Sequence, residues 1–267
     1  MSEPRWRPTL LIRASVALHL LALLLVIAEP GQWRWALAAV LADHALLMLA
    51  GLWPRSNWLG PNWTRLPAAA AARNEIALTI DDGPDPVVTP QVLDLLDRHA
   101  VRASFFCVGE KAARYPGLCR EIARRGHAVE NHSQRHRHHF ALQGYSGLMR
   151  ELQAGQDTLA AITGRRPAFF RAPAGLRNPL LDPVLARLGL HLASWSVRAY
   201  DTRTGDAGRV RNRLLRGLRA GAILLLHDGN AARTPEGVPV ILAALPAVLA
   251  AAGAAGLRFV TLQQARS

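Results

Sequence analysis

Two neighbouring carboxylates and three histidines in this chain sit where side chains do chemistry. Asp81 and Asp82 end an apolar, partly β-branched run, Ile76 to Ile80, and lead into a Gly-Pro turn, in the stretch IALTIDDGPDP. A buried parallel strand that delivers acids to the rim of a sheet or barrel reads this way. Adjacent residues of a strand point to opposite faces, so the two acids have different tasks unless the strand has already ended. Like charges this close repel, and keeping both ionised calls for a cation, either a metal or an arginine. Asp85, inside the turn, reads as a turn-capping residue.

His132 and His136 are separated by three residues in NHSQRHRHH. That spacing brings two imidazoles to one side of a helical turn or tight loop around a metal, although a solvated basic loop has the same composition. With Asp82 they make two imidazoles and one carboxylate, the donor set that leaves a position open for water on zinc or a similar divalent ion. Asp81 is then free to act as a base. His227 closes the run LLLHD at a strand end, where it reads either as a second proton-transfer group or as a core histidine bonded to a backbone carbonyl.

These residues need elements to hold them. Apolar strand-like runs are predicted at 76–80, 103–108, 128–131, 168–172, 190–197, 222–226 and 257–262. Between them fall helices at 90–98 capped by Thr89, 110–125 broken at Pro116, 146–163 closed by Gly164, 179–188, 206–219 and 239–252. The chemically useful residues gather at strand C-terminal ends: Asp81, Asp82, His132, His136, Arg171, Asp201 just past the fifth strand, and His227. Contributions from nearly every strand converge only if the strands form a ring. The expected fold class is therefore α/β, a distorted β/α barrel with about seven parallel strands.

The N-terminus has another character. Leu10 to Ala28 and Ala36 to Trp53 are apolar stretches long enough to span a bilayer, with Trp33, Trp35 and Trp53 at the expected interfaces. Asp43 and His44 interrupt the second segment and are expected to pair with His19 across a transmembrane helical hairpin. No cleavable signal is indicated, because a second apolar segment follows the first. Arg5, Arg7 and Arg13 precede or open the first segment and Arg55, Arg65 and Arg73 follow the second, which places both flanks in the cytoplasm. The expected domains are a membrane anchor at 1–53, a surface-hugging linker at 54–74 and a globular domain at 75–267.

Net charge is +13 among 267 residues. An anionic membrane lipid surface, a polyanion or a phosphorylated substrate suits that balance. Nucleic acid is not the expected partner, since no helix-turn-helix, zinc finger or ribonucleoprotein signature is present. Cys107 and Cys119 are too few for a disulfide framework and leave the compartment open.

TIDDGPDP, NHSQRH, FRAPAG, SWSVRAYD and LLLHD, in this order, resemble the five motifs of the polysaccharide deacetylases, the NodB-like carbohydrate esterases of family 4 type. The resemblance covers about Glu75 to Leu262 and implies a barrel of seven β/α units and a hydrolase acting on carbon-nitrogen bonds other than peptides. It implies Asp82, His132 and His136 as ligands of a divalent metal, usually Zn2+, with Ser133 bracing the histidine loop. Asp81 would be the general base toward water, Arg171 its orienting partner, His227 the acid that protonates the leaving amine, and Asp201 the carboxylate that tunes it. A backbone N–H near Ala174 would join the metal in stabilising the oxyanion. Ala174, Trp195 and Arg198 would wall the substrate groove. Many members carry an aromatic residue in place of Ala174, and an aspartate and a tryptophan in place of Arg198 and Thr202. A smaller wall with an added arginine suits an anionic group near the sugar.

The expected function is removal of an acetyl or formyl group from an N-acylated amino sugar, glycan or lipid-linked, by a membrane-anchored enzyme. An extracytoplasmic polysaccharide or peptidoglycan deacetylase and a non-catalytic carbohydrate-binding barrel are the alternatives.

Overall fold

The computed structural model describes residues 6–266, so Arg5 lies outside the described residues. Helix α1 (Leu10–Ala28) packs on α2 (Trp33–Leu52) through a one-turn connection at Pro30–Gln32. Thr9 caps α1 by accepting from the Ile12 N–H. Both helices are apolar all round and expose most of that surface. Each is long and apolar enough to cross a membrane. Midway along the pair, Ser15 Oγ donates to Asp43 Oδ2 at 2.6 Å and the His19 and His44 rings meet edge-on at 5.1 Å. The expected cross-hairpin cluster therefore forms, with Ser15 added as the direct partner of Asp43.

Residues 54–74 are bound down more firmly than a surface-hugging linker. Leu59, Leu66 and Ala70 are buried, α3 (Ala68–Ala72) forms from the alanine run, and Trp63 bridges to Ala193. The Trp63 N–H donates to Leu192 O, and its carbonyl accepts from Ser194.

In the remaining chain β1 (Glu75–Asp81), α4 (Val88–Arg98), β2 (Ser104–Cys107), α5 (Gly109–Arg114), α6 (Pro116–Arg124) and β3 (Ala128–Asn131) come first. Then follow α7 (Tyr145–Thr163), β4 (Phe169–Phe170), α8 (Leu181–Leu188), β5 (His191–Leu192), β6 (Val197–Arg198), α9 (Ala207–Arg216), β7 (Ile223–His227), α10 (Val240–Ala254) and β8 (Arg258–Phe259). All pairings are parallel, in the order β5-β4-β3-β2-β1-β7-β6, with β8 beside β1. The sheet curls into a partial barrel of α/β class, as expected.

Strand β1 is buried along its whole length because it lies between β2 and β7 and is covered on both faces. Ile76, Leu78 and Ile80 join the helix-facing core with Val92, Leu96, Leu245 and Val248, while Ala77 joins the inner core with Phe106 and Leu225. The two-residue period puts Thr79 and Asp81 on the inner face with Ala77. Each large aliphatic side chain buried here contributes about 1.5–3 kcal/mol. A handful of them offsets the several kcal/mol that each ion costs when charges are placed inside the barrel.

Two expectations are corrected. The strand expected at 190–197 is two short strands, because the carbonyls of Ala193 and Ser194 accept from the Arg171 guanidinium instead of from a neighbouring ladder. Thr89 does not cap α4; Asp85 Oδ1 accepts from Val87 and Val88, and Thr89 turns inward to donate to Asp228. Asp85 thus performs the expected capping, and Pro116 breaks its helix as expected.

Candidate active site

Asp81 ends β1 in register with His227 at the end of β7. Asp82 then takes φ +74°, so the backbone reverses hand between the two acids and their carboxylates leave in different directions. This conformation of Asp82 itself, together with the Gly83-Pro84 turn, separates their partners.

Asp81 faces the barrel interior, where Arg171 Nη1 donates to its Oδ1 at 2.7 Å. The same guanidinium reaches Thr79 Oγ1 and the carbonyls of Ala193 and Ser194, and lies 4.1 Å from the Phe106 ring centroid. Arg171 is 1% exposed, so every one of these bonds is made without water. A planar five-donor fork is the side chain that can hold so many acceptors at once.

Asp82 Oδ1 stands 3.1 Å from Nε2 of both His132 and His136. Burial alone would raise the Asp82 pKa, but the two imidazoles more than offset it and hold the carboxyl far below the usual range. His132 Nδ1 sits 2.8 Å from the Arg171 carbonyl, which can only accept. In the neutral ring, Nε2 is then an acceptor facing another acceptor, a contact that either a proton on the ring or a metal ion between the two groups reconciles. Donor atoms of the three residues lie within 4.8 Å of one another, and the nitrogen and carboxylate donors suit a divalent ion such as zinc. Ser133 Oγ accepts from the His136 N–H and Asn131 Oδ1 from the Ser133 N–H, so the histidine loop is tied to β3.

His227 Nδ1 meets Asp201 Oδ1 at 2.9 Å, and the other Asp201 oxygen accepts from the His227 N–H. Burial pushes the His227 pKa down, yet the Asp201 pair and the charges of Asp81 and Asp82 overcome it and raise the value to about 9. This clamp excludes the core-histidine reading, in which His227 would bond a backbone carbonyl.

A cavity of about 230 Å³ gathers these groups. Asp81, Asp82, His132, His136, His227, Ala174, Trp195 and Arg198 all line it, while Arg171 and Asp201 support it from behind. Ala174 has φ +54°, and its N–H donates to no described group. Left-handed backbone at a non-glycine residue is costly, and Asp82, Ser133, His136, Ala174 and Tyr200 all adopt it around this mouth.

Some contributors escaped the sequence reading. Asn230 donates to Asp82 Oδ2 at 2.8 Å, and Lys111 Nζ to the Asp82 carbonyl at 2.8 Å. Buried Asp228, raised to about 7 by desolvation and the Asp82 charge, sits under Gly83. Asp228 closes LLLHD, Asn230 follows it and Lys111 follows SFFCV, but position along the chain says nothing of direction.

The end of α2 docks on the loop that carries Ala174. The Arg177 N–H donates to Gly51 O at 3.2 Å, the Arg177 guanidinium to Ser56 O, and Ser194 Oγ to Pro54 O at 2.6 Å. A Cβ on Gly51 would run into the Arg177 carbonyl, so only glycine permits this approach.

A family profile described as polysaccharide deacetylase matches residues 68–193, a span that contains Asp81, Asp82, His132, His136, Arg171 and Ala174. A chitooligosaccharide deacetylase of Azorhizobium caulinodans is 39% identical over 170 residues, 61% of this chain and 78% of that protein. The chain belongs to the polysaccharide deacetylase family. The peptidoglycan-N-acetylglucosamine deacetylase PgdA of Listeria monocytogenes is 36% identical over 170 residues, 63% of this chain but only 36% of its own length. This polysaccharide deacetylase family member thus spans about a third of that relative. The solved Bc1960 peptidoglycan N-acetylglucosamine deacetylase superposes with a TM-score of 0.69 at 28% identity, over 76% of this chain and 91% of that one. The α1–α2 hairpin lies outside the profile match.

Proposed function

We infer that this family member is a membrane-anchored, metal-dependent hydrolase that removes an acetyl or formyl group from an amino sugar carried on a lipid. The observation that carries the hydrolase is the convergence of a buried, arginine-held Asp81 and an Asp201-held His227 on the one cavity that the Asp82–His132–His136 cluster lines. A divalent ion held by Asp82, His132 and His136, zinc by preference, supplies Lewis acidity toward water and the amide carbonyl.

The chain's own groups do the rest. Asp81 Oδ2, which stands 4.0 Å from His132 Nε2 and accepts no hydrogen bond from a described residue while Oδ1 binds Arg171, takes the proton of the attacking water. The Ala174 N–H, with no other partner, donates to the carbonyl oxygen as it becomes anionic. His227, kept protonated by Asp201, gives its proton to the departing amine, so a carboxylic acid and a free amino sugar leave. Trp195 walls the sugar, and Arg198 stands beside it.

Membrane anchoring draws support from the length, composition and exposure of α1 and α2. The lipid-carried substrate draws support from the docking of α2 on the Ala174 loop, which holds the pocket next to the point where the chain leaves the hairpin. Arginine on both flanks favours the cytoplasmic face for the catalytic domain. A second reading rests on the relatives, two of which are named for peptidoglycan: an extracytoplasmic enzyme acting on a polymer. Purified full-length protein loaded with zinc should release acid from an N-acylated amino sugar, and Asp81→Asn should not. Equal inertness of both proteins on acetylated and formylated sugars would leave only a carbohydrate-binding barrel. A C-terminal phosphatase reporter separates the two topologies, since activity outside the cytoplasm would sink the cytoplasmic one.

A further inference from the structure

A second cavity, about 400 Å³, adjoins the catalytic one and shares Trp195 and Arg198 with it. Its other walls include Trp53, Pro54, Arg55 and Arg203. Trp53 and Pro54 come directly after α2, so the cavity lies between the end of the hairpin and the catalytic pocket.

Three guanidinium groups face this space and no carboxylate does. Among the described residues Arg55, Arg198 and Arg203 form no ion pair, and the side-chain bond of Arg55 is a 3.4 Å contact to the Ser196 carbonyl. Arg198 Nε is buried without a hydrogen-bond partner. Its guanidinium is held over Trp195 at 5.3 Å and Tyr200 at 5.1 Å, and Tyr200 is itself fixed at φ +59° with Arg213 on its ring at 5.2 Å. Aromatic stacking orients the planar fork while leaving its N–H edges unspent. Crowding like charges around an orphaned buried donor is costly unless an anion enters, and phosphate matches several guanidinium forks at once.

We propose that Arg55, Arg198 and Arg203 form a phosphate subsite that seats the phosphate joining the sugar to its lipid. The proposal rests on the reading of the chain as an amino-sugar deacylase and adds the group that selects the substrate. Arg198 borders both cavities, so a phosphate directly on the sugar ring spans from one to the other while the lipid runs toward α2.

Full-length Asp81→Asn protein in phosphatidylcholine nanodiscs, loaded with zinc, is titrated with N-acetylglucosamine 1-phosphate and with unphosphorylated N-acetylglucosamine. The phosphorylated sugar should bind at least about tenfold more tightly, by one or more charge-assisted bonds. Arg203→Ala and Arg198→Gln should each erase most of that preference, and Arg203→Lys should restore part of it. Equal binding of the two sugars by the parent protein overturns the proposal even if the substituted proteins fail to fold. Replacing phosphatidylcholine by phosphatidylglycerol tests the other phosphate source: loss of the tenfold preference there assigns the arginines to bulk lipid headgroups and likewise overturns it. The wild-type protein separates this failure from that of the underlying reading. Acid released equally from phosphorylated and neutral sugars removes only the subsite, whereas release from neither removes the deacylase.

Discussion

Arg171 Nη1 lies 2.7 Å from Asp81 Oδ1 inside the barrel, and the two side chains are 1% and 4% exposed. Breaking a buried pair by removing one partner costs about 3–5 kcal/mol. Arg171→Met is therefore expected to lower the midpoint of urea unfolding sharply, whereas Asp81→Asn, which keeps a hydrogen-bond acceptor, should cost less. Turnover should show the reverse emphasis, with Asp81→Asn slowed by about a hundredfold or more through loss of the base. A folded, fully active Asp81→Asn protein would remove Asp81 from the chemistry.

His227 depends on Asp201. Its pKa is raised to about 9, so the proton needed by the leaving amine is present through neutral pH and the rate should fall as pH rises through about 9. The stability this pair contributes is fully present below the ordinary histidine value of about 6.5 and is lost as pH rises through about 9. In Asp201→Asn the lowering effect of burial is no longer opposed by that partner, and the alkaline limb of the pH–rate profile should move to lower pH. An unmoved limb would show that another group sets it.

Metal should be felt as stability as well as rate. A ligand present at a thousand times its dissociation constant stabilises the fold by about 4 kcal/mol. Chelation is expected to lower the melting temperature and abolish acid release, with zinc restoring both. His136→Ala should remove the zinc-dependent rise in melting temperature while the rest of the fold persists, because His136 is the most exposed of the three ligands.

Gly229 lies against the Asp82 carbonyl so closely that a Cβ would collide with it. Gly229→Ala is predicted to cost about 1–3 kcal/mol by forcing that backbone apart. Because the displaced atom belongs to Asp82, zinc affinity measured by competition with a chelating dye should fall as well. A variant that is destabilised but binds zinc normally would show that the loop yields elsewhere.

The legible parts of this molecule were those in which local pattern and final environment agree. Ile76 to Ile80 reads as a doubly buried strand because it is one, and the acids at its end inherit their position from it. Strand termini place His132, His136, Arg171 and His227, and the resemblance in FRAPAG adds the role of Arg171 beside Asp81. What escaped was set by tertiary contact. No local feature of Leu190 to Val197 indicates that an arginine from another strand will take the carbonyls of Ala193 and Ser194 and split the ladder. Nothing in Thr89 distinguishes a helix cap from a donor to Asp228, a partner far along the chain. Gly51 sat within an apolar run, where its role as the seat of Arg177 had no signature.

The left-handed backbone at Asp82, Ser133, His136, Ala174 and Tyr200 has a consequence for any attempt to harden this protein. Each such residue withholds roughly a kcal/mol or more from the folded state. Glycine at these positions would relax the strain while surrendering the side chain that the mouth requires, except at Ala174, where only a methyl is lost. Thermal robustness and the shape of the mouth are therefore opposed residue by residue, and the search for a tougher variant belongs on the helices around the barrel, with Ala174→Gly the single substitution at the rim that escapes the conflict.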